Sequence, residues 1–279
     1  MAINLNKYYV TAYLNMNKSI NLLQITDCHL LQTPDISYRD NLPEQRLDAV
    51  IESIAEQFLL PDYFTHLILS GDLAHDSVAA VYQRLLSKTQ SLAKHVHWLP
   101  GNHDDVAVMS DFSQMQQKII LEKNWAIILL DSTSNPNGLG SGELSEKELD
   151  FLANSEKSIR ALEHPIKIEH LFLVLHHPPI AVNSVWQDKI KLANSEVFWE
   201  VVDNLTSVRA VSFGHLHQEH HLKRGAVELF CTPATAAQFK KQQCTPVLED
   251  SPVHSGPGFR VFCLNDNGQI ASQVHTVAM

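Results

Sequence analysis

The chain has 279 residues, 44% of them hydrophobic, which is enough to bury one large core. Its formal net charge of −10, from 31 acidic and 21 basic residues, argues against a nucleic acid polymer as partner, because such binding requires a basic surface. No apolar stretch is long enough to cross a bilayer, so we predict no membrane span and no membrane partner.

Four cysteines without a paired CxxC spacing are typical of a reduced compartment, and they predict a cytoplasmic protein. Residues 1–18 lack the continuous apolar stretch of a secretory signal, and we expect them to form a flexible N-terminal extension. Met16 stands just before the first strand-like run, so a translation start there is left open. Residues 19–279 are predicted to form a single domain.

Short apolar runs recur along the chain, and each ends abruptly in polar residues. Continuous runs of this length fit strands that are buried on both faces. They cover residues 20–26, 66–69, 96–99, 125–130, 171–175 and 208–213. Near the end of the chain, residues 221–231 and 259–277 are typical of β-hairpins, and Asn267-Gly268 is the turn signal of the second.

Helical segments lie between these runs. In residues 44–60 the apolar side chains recur with the period of an α-helix, and residues 77–92 and 196–202 are similar. Ser145, followed three residues later by Glu148, has the pattern of a capping box at the start of another helix. Alternating strands and helices predict a layered α/β fold with two sheets in one sandwich, and in such folds ligands bind at the carboxyl ends of strands.

Five of the predicted strands end in residues of the types that bind metal ions. Asp27 and His29 stand two residues apart, as do His215 and His217, so each pair can project to one side of a strand end. Any one of these motifs is more often an ordinary loop, and only the ordered set indicates a metal site. The other three motifs contain Asp72 after a glycine, Asn102 in GNHD, and His176 with His177 in HHPP.

This ordered set resembles the motifs of the calcineurin-like metallophosphoesterase superfamily. Further segments, among them LPGNHD, FGHLHQE, TPATAAQFK and PGFR, are similar to those of its class III cyclic-nucleotide phosphodiesterases, the branch that includes bacterial 3′,5′-cyclic AMP phosphodiesterases. The resemblance covers about residues 21–276. It implies a four-layer α/β/β/α sandwich of two mixed sheets flanked by helices, with a metal site at the carboxyl ends of the strands.

The resemblance also implies two divalent cations and assigns their ligands. Asp72 would bridge both ions, since a carboxylate can offer one oxygen to each. Mixed nitrogen and oxygen donors without thiolate suit Mn²⁺, Fe, Zn²⁺ or Co²⁺. The ligands of one ion would be Asp27, His29 and His217, and those of the other would be Asn102, His176 and His215.

By the same resemblance, the activity is hydrolysis of 3′,5′-cyclic AMP, or a related cyclic nucleotide, to 5′-AMP. A hydroxide that bridges the two ions would attack phosphorus. His103 would hydrogen-bond the phosphoryl oxygen or protonate the leaving oxygen, and Asp104 would orient its imidazole. The residues expected to contact the substrate are Asn102, His103, His177 and Asn194.

Several other residues are left with two interpretations each. Asp131 either supports the site or forms a turn at its strand end, and Trp186 either stacks on a purine or anchors its loop. His75 and Asp76 are expected to cap a helix or support the ligands rather than to bind metal. A nucleotide pocket and core packing are equal alternatives for Thr232, Thr235, Gln238 and Phe239.

Alternative functions stay open at this stage. The same metals would serve a phosphodiesterase for 2′,3′-cyclic nucleotides or glycerophosphodiesters. A catalytically silent scaffold is less favoured, because all seven predicted ligands and His103 are present. Protein phosphatases of the superfamily carry GDxxDRG where this chain has GDLAHDS, which argues against that class. We expect a monomer or homodimer that binds a small phosphodiester.

Overall fold

The computed structural model describes residues 19–58, 60, 62–112, 117–162 and 166–279. The predicted N-terminal extension, residues 1–18, lies outside these ranges, so its flexibility, the start at Met16 and the boundary of the single domain stay predictions. Within the described ranges, no helix is both long and apolar enough to cross a membrane.

The strands of the described chain form two sheets. In chain order they are β1 (Ser19–Ile25), β2 (His66–Ser70), β3 (His95–Leu99), β4 (Ile119–Glu122), β5 (Trp125–Leu129), β6 (His170–Val174), β7 (Val208–Phe213), β8 (His220–Arg224), β9 (Val227–Cys231), β10 (Gly258–Asn265) and β11 (Ile270–Thr276). The sheet orders are β11-β10-β1-β2-β3 and β4-β5-β6-β7-β9-β8. β1, β2 and β3 are parallel, as are β5, β6, β7 and β9, so their carboxyl ends meet at one edge of each sheet.

All six apolar runs of the sequence are strands, which confirms the predicted α/β fold with two mixed sheets. Both predicted hairpins are also present, as β8 with β9 and β10 with β11. The sequence prediction misses β4, whose four residues are ordered as a strand only by antiparallel pairing with β5. A strand this short has too few residues to show a periodicity of its own.

Helices cover the outer faces of both sheets. They are α1 (Pro43–Gln57), α2 (Ala79–Thr89), α3 (Val106–Met109), α4 (Glu146–Ala153), α5 (Ser155–Arg160) and α6 (Ser195–Asp203), with a short 3₁₀ turn at Gln187–Lys189. α1 begins at a proline, whose fixed φ suits the first helical position, and it ends short of the predicted residue 60 because Phe58 is extended. The Ser145 hydroxyl accepts a hydrogen bond from the Glu148 N–H at the start of α4, as the capping-box pattern predicts.

Three buried clusters lie between the four layers. Alternate residues of β1 serve two of them: Ile20 and Leu22 face the second sheet, whereas Leu23 and Ile25 face α1 and α2. The third cluster packs α4 and α6 on the second sheet around Phe198. Because both faces of each sheet are covered, the central strands are apolar on both sides, which explains their continuous apolar runs.

A buried polar contact joins the two sheets beneath their carboxyl ends. Gln24 of β1 donates from Nε2 to the Ser70 hydroxyl at 2.7 Å. Its Oε1 accepts from the hydroxyls of Ser212 and Thr232 at 2.5 and 2.7 Å. The side chain of Gln24 thus links the two sheets at one position along their strands. Its bond to Thr232 favours the core-packing interpretation of that residue.

Candidate metal centre

The predicted ligands stand at strand ends where the backbone turns with a positive φ. This left-handed conformation costs residues other than glycine about 1–3 kcal/mol each, and it clusters at functional sites. Strain is thus concentrated where side chains of different strands turn toward one another. Five of the seven predicted ligands adopt the conformation: Asp27 at 52°, His29 at 45°, Asp72 at 50°, His215 at 71° and His217 at 52°.

The structure brings six of these side chains into two adjoining groups, Asp27 with His29 and His217, and Asp72 with His176 and His215. In the first group, Nε2 of His29 and Nε2 of His217 are 3.1 Å apart. In the second, Nε2 of His176 and Nδ1 of His215 are also 3.1 Å apart. Oδ2 of Asp72 lies 3.4 Å from Nε2 of His176 and 3.6 Å from Nε2 of His29, so this carboxylate stands between the groups.

Backbone carbonyls orient two of the imidazoles. Nδ1 of His176 lies 3.0 Å from the Ser70 carbonyl oxygen, and Nδ1 of His217 lies 2.6 Å from that of Ala237. A carbonyl oxygen only accepts, so Nδ1 carries the proton when either ring is neutral. Nε2 of each ring then presents its lone pair to the centre of its group, as a metal ligand must.

Backbone N–H groups position the two carboxylates. The His215 N–H donates to Oδ2 of Asp27 at 3.0 Å. The His103 N–H donates to Oδ1 of Asp72 at 2.9 Å. The second bond leaves Oδ2 of Asp72 facing the histidines of both groups, which is the orientation that a bridging carboxylate requires.

Two glycines allow the loops to approach this closely. Gly71 has a φ of +92°, and a Cβ there would stand 2.4 Å from Nδ1 of His176. A Cβ at Gly101 would stand 2.3 Å from the backbone nitrogen of Asp72. Any larger residue would force the loops apart, which explains why glycine directly precedes both Asp72 and Asn102.

The donor set fits divalent cations. Oδ1 of Asn102 and Nε2 of His215 are buried without a hydrogen-bond partner in the described part of the chain. A buried polar atom without a partner is destabilising by about 1–3 kcal/mol, and a cation beside the Asn102 oxygen would remove that penalty. Nitrogen and oxygen donors without thiolate match Mn²⁺, Fe, Zn²⁺ or Co²⁺. The residues present therefore fit the two ions that the family resemblance implies.

Burial sets the charge state of this centre. It lowers the pKa of His29 and of His215 well below the usual range. Burial also acts to lower the pKa of His176, but the adjacent Asp72 carboxylate outweighs it and raises the pKa to about 9. Burial acts to raise the pKa of Asp72, and His176 reverses this, so that the pKa lies well below its usual range. A proton on His176 thus compensates Asp72 in the cation-free protein, and a bound cation would displace it.

His103 lies at the exposed mouth of the centre. The centroid of its ring is 4.9 Å from that of His29 and 5.0 Å from that of His75. His75, which the sequence interpretation gave only a supporting role, forms with these two a third group whose nitrogens lie within 4.8 Å of one another. The exposed ring of His103 is therefore beside the predicted ligands and open to a small molecule.

The hydrogen bonds of Asp104 contradict its predicted role of orienting the His103 imidazole. Its carboxylate accepts at 2.9–3.2 Å from three backbone N–H groups and one hydroxyl, those of Leu73, Ala74, Gly101 and Tyr82. Burial and the nearby Asp72 raise the pKa of Asp104 to about 6, although the N–H groups act to lower it. Asp104 thus holds the loop that carries His103 against the end of β2.

The polar atoms of two predicted substrate contacts, His177 and Asn194, are already engaged in hydrogen bonds to neighbouring loops, which contradicts those predictions. His177 is fully buried, with Nδ1 2.8 Å from the Ser132 hydroxyl and Nε2 3.1 Å from the Gly140 carbonyl oxygen, so both ring nitrogens are occupied. Asn194 accepts from the Leu144 N–H at 3.1 Å and donates to the Leu144 carbonyl at 2.7 Å. Each of these side chains fastens a loop to its neighbour.

Three residues that were open to two interpretations can be assigned from their hydrogen bonds or their burial. Oδ1 of Asp131 accepts from the N–H and the hydroxyl of Thr133, which favours a turn at the strand end. Thr235 is fully buried. Gln238 is nearly so, and its amide bonds both backbone groups of Ala234. Packing is therefore the better interpretation of Thr235 and Gln238.

Aromatic residues line one side of the centre, and the sequence reasoning missed one of them. The Phe239 ring lies 5.2 Å from that of His217 and 5.0 Å from that of Trp186. The Tyr38 ring stacks on His29 at 4.6 Å with an interplanar angle of 16°. Residues 32–41 show neither helical nor strand periodicity, so only the Tyr-Arg pair in an otherwise polar loop could have marked this segment.

Comparison with known proteins agrees with this geometry. Residues 20–219 match the calcineurin-like phosphoesterase family. The 3′,5′-cyclic adenosine monophosphate phosphodiesterase CpdA of Vibrio vulnificus is 34% identical over 266 residues, which are 93% of this chain and 91% of that protein. A 3′,5′-cyclic-nucleotide phosphodiesterase of a Nostoc strain is 32% identical over 268 residues, which are 95% of both chains.

A solved structure shares the fold at low identity. A dimetal phosphatase from Danio rerio superimposes with a TM-score of 0.57 at 12% sequence identity, covering 94% of this chain and 100% of that one. The family match spans well over half of the chain, and it includes every residue of the two ligand groups. This chain belongs to the calcineurin-like phosphoesterase family, whose members are hydrolases that use divalent metals.

Proposed function

We propose that this protein is a phosphodiesterase with two divalent cations, which hydrolyses 3′,5′-cyclic AMP, or a related cyclic nucleotide, to 5′-AMP. The observation that supports the proposal is the position of Asp72 between two groups of ligands, because two neighbouring cations suit attack on a single phosphorus. The substrate class follows the names of relatives that match over more than nine tenths of this chain.

The proposed ligands fall on either side of Asp72. Bound there, the two ions would lower the pKa of a water molecule to about 7 and draw negative charge from the phosphoryl oxygens. The protein fixes the ligand atoms in advance through the carbonyls that orient the imidazoles and the N–H groups that orient the carboxylates. One ion would take Asp27, His29 and His217, and the other would take Asn102, His176 and His215, with Asp72 shared.

We assign the protonation step to His103. Its backbone N–H donates to Asp72, which holds His103 beside the two ligand groups. The ring N–H donates a hydrogen bond to a phosphoryl oxygen, or passes its proton to the 3′-oxygen as the bond from that oxygen to phosphorus breaks. The attacking water supplies the new bond to phosphorus and loses one proton, so the product is the 5′-monophosphate.

The charge of the centre suits an anionic substrate although the chain as a whole is acidic. Two divalent cations carry roughly +4, which the buried carboxylates of Asp27 and Asp72 neutralise only in part. The remaining positive charge would draw a phosphodiester into the mouth beside His103 in spite of the net charge of −10. A cytoplasmic location and a monomeric or homodimeric state stay predictions.

The test is a substrate panel run with Mn²⁺ and with chelator. The panel contains 3′,5′-cyclic AMP, 3′,5′-cyclic GMP, 2′,3′-cyclic AMP, glycerophosphocholine and bis(p-nitrophenyl) phosphate. We expect 5′-AMP from 3′,5′-cyclic AMP, identified by chromatography, with activity lost in chelator and restored by Mn²⁺. Preferred cleavage of the 2′,3′-cyclic nucleotide or of glycerophosphocholine would replace the proposed substrate, and no cleavage of any diester would refute the enzyme assignment.

A further inference from the structure

A tight turn at the mouth of the centre holds Arg39 in a costly conformation. Tyr38 and Asn41 exchange two backbone hydrogen bonds, at 2.8 and 3.1 Å, so Arg39 and Asp40 form the two central residues of a hairpin turn. Both have a positive φ, 49° and 60°. Turns of this kind favour Asn-Gly, because side chains are strained at a positive φ. An arginine in this strained position beside the ligand groups points to a role for its side chain.

Two further contacts fix this turn relative to the rest of the site. The Asn41 side chain donates to the Arg39 carbonyl oxygen at 2.6 Å. The buried guanidinium of Arg46 donates to Oδ1 of Asn41 at 3.0 Å and to the Ala236 carbonyl oxygen at 2.8 Å. The turn is therefore joined to the loop that leads to Phe239, and the position of Arg39 does not depend on its own exposed side chain.

Arg39 lies one aromatic ring away from each of two predicted ligands. Its guanidinium stands 5.0 Å over the Phe239 ring, which in turn lies 5.2 Å from the ring of His217. It also stands 5.3 Å from the Tyr38 ring, which stacks on His29. Arg39 thus stands outside the ligand groups, with an aromatic ring between its guanidinium and His29 or His217, and a nucleotide whose phosphate binds at the ligands has its base farther out.

The charge of Arg39 is available to a ligand. Its side chain is exposed, and Nε donates to the Tyr38 hydroxyl at 3.0 Å. Within the described ranges, no carboxylate forms an ion pair with its guanidinium. The guanidinium is planar and stacks on aromatic faces, and a purine offers such a face whatever its edge groups are.

We propose that Arg39, with Phe239 and Tyr38 behind it, binds the nucleobase of the substrate by stacking. This inference rests on the proposed function, since it names the part of a cyclic nucleotide that the metal centre itself does not hold. Arg39 is in this view a specificity residue: it favours nucleotides over diesters without a base. Because stacking depends little on the edge of the base, it contributes to cyclic AMP and cyclic GMP alike.

The test compares Arg39→Ala, Arg39→Lys and the control Arg160→Ala on substrates with and without a base. Arg160 is an exposed arginine on α5, paired with Glu156. For Arg39→Ala we expect the KM for both 3′,5′-cyclic nucleotides to rise about tenfold with little change in kcat. Hydrolysis of glycerophosphocholine, a diester without an aromatic ring, should be unchanged. Arg39→Lys should behave like Arg39→Ala, because lysine keeps the charge but loses the planar group, and Arg160→Ala should match wild type.

Two kinetic outcomes would overturn the proposal. An equal loss on the nucleotides and on glycerophosphocholine, rescued by Arg39→Lys, would mean that Arg39 pairs with the phosphate. Unchanged KM values in Arg39→Ala would mean that it binds no part of the substrate.

A binding measurement separates this proposal from the proposed function. Titration calorimetry compares 5′-AMP with ribose 5-phosphate, which lacks the base and is not a substrate of the proposed reaction. We expect wild type to bind 5′-AMP about tenfold more tightly and Arg39→Ala to bind the two equally. That result supports the base site even if no diester is cleaved, whereas equal affinities in wild type refute it even in an active enzyme.

Discussion

Within the residues that the structure describes, pairs of buried histidines meet at the carboxyl ends of the strands and at the opposite end of β2, and of these two regions only the first has the features of a metal site. At the carboxyl ends of the strands, pairs of imidazole nitrogens lie 3.1 Å apart in each ligand group. At the other end of β2, Nδ1 of His66 lies at the same distance, 3.1 Å, from Nε2 of His97 on β3. The separation of two imidazoles therefore does not identify a cation site.

The carboxylates make the difference between the two regions. Asp27 and Asp72 are 0% and 2% exposed, and each faces histidines of its own group. Beside His66 the nearest carboxylate is that of Glu122, which is 33% exposed and 3.6 Å from Nε2. Burial lowers the pKa of His66 to about 3 and that of His97 to about 4, with His95 adding to both shifts. Without buried negative charge, two imidazoles stay neutral and share a hydrogen bond.

The largest effect is expected for Asp72→Asn, which removes the buried negative charge that distinguishes the ligand groups from the His66 region. An amide cannot offer an anionic oxygen to each of two cations, so we expect metal affinity to fall by at least about 100-fold and hydrolysis to reach background. Asp131→Asn is the control, because that strand-end carboxylate accepts from Thr133 and belongs to neither ligand group. Metal content by mass spectrometry and phosphodiesterase activity decide the matter, and a metal-loaded, active Asp72→Asn would contradict the proposed bridging role.

The second test separates binding from chemistry at the same end of the molecule. His103→Ala should keep its bound metal and lose about 10²–10⁴ in kcat, the usual contribution of a general acid. The backbone N–H that positions Asp72 is preserved in this variant, so the ligand groups should stay intact. Metal content and turnover are measured on one preparation. Near-normal turnover would remove His103 from the mechanism.

The third test addresses the His66 region through the pH dependence of stability. Both rings stay neutral in the folded protein down to about pH 4, whereas free histidine titrates near 6.5. Between these values the unfolded chain binds more protons than the folded protein. The contribution of this pair to the free energy of unfolding is therefore fully present above pH 6.5 and is lost as the pH falls. We expect the pair to account for about 4 kcal/mol of the decrease in unfolding free energy between pH 8 and pH 5, about 2 kcal/mol for each ring.

Urea denaturation of the double variant His66→Asn/His97→Asn measures that contribution. Its decrease between pH 8 and pH 5 should be smaller than that of wild type, whatever its stability at pH 8. His254→Asn is the control, because His254 is exposed. An identical pH dependence in wild type and the double variant would show that these buried rings are not responsible.

The smallest expected effect concerns the loop that carries His103. Tyr82 donates from its hydroxyl to Asp104 at 2.9 Å, and Asp104 holds three N–H groups of the two loops. Tyr82→Phe should lower the unfolding free energy by about 1 kcal/mol, since Asp104 keeps its other bonds. Tyr63→Phe serves as the control, because Tyr63 lies outside this network. A Tyr82→Phe protein as stable as wild type would show that the network does not depend on this hydroxyl.

Much of the fold could be predicted because burial leaves a periodic signal. Strands covered on both faces have continuous apolar runs, and Ser145 with Glu148 marked the start of α4. β4 escaped prediction because it is ordered by pairing with β5. The candidate ligands could be named because two-residue spacings and a preceding glycine are local features at strand ends.

The roles of individual site residues were harder to predict from the sequence. His176 and His177 are neighbours in the sequence, and nothing in HHPP says which one faces the centre. The structure turns His177 to Ser132 and Gly140, which lie 45 and 37 residues away in the chain. Asp104 was likewise assigned to its neighbour His103, but it bonds the N–H groups of the distant loop after β2.

By itself, the sequence determined the layered fold, the residue types of the candidate metal centre and their order along the chain, because hydrophobic periodicity and the residues at strand ends are local features. Only the tertiary structure decided which imidazoles turn inward, what Asp104 holds and that Arg39 stands over Phe239. A side chain's direction follows from the hydrogen-bond partners and neighbouring rings that folding brings to it from remote segments, and no local pattern records those partners.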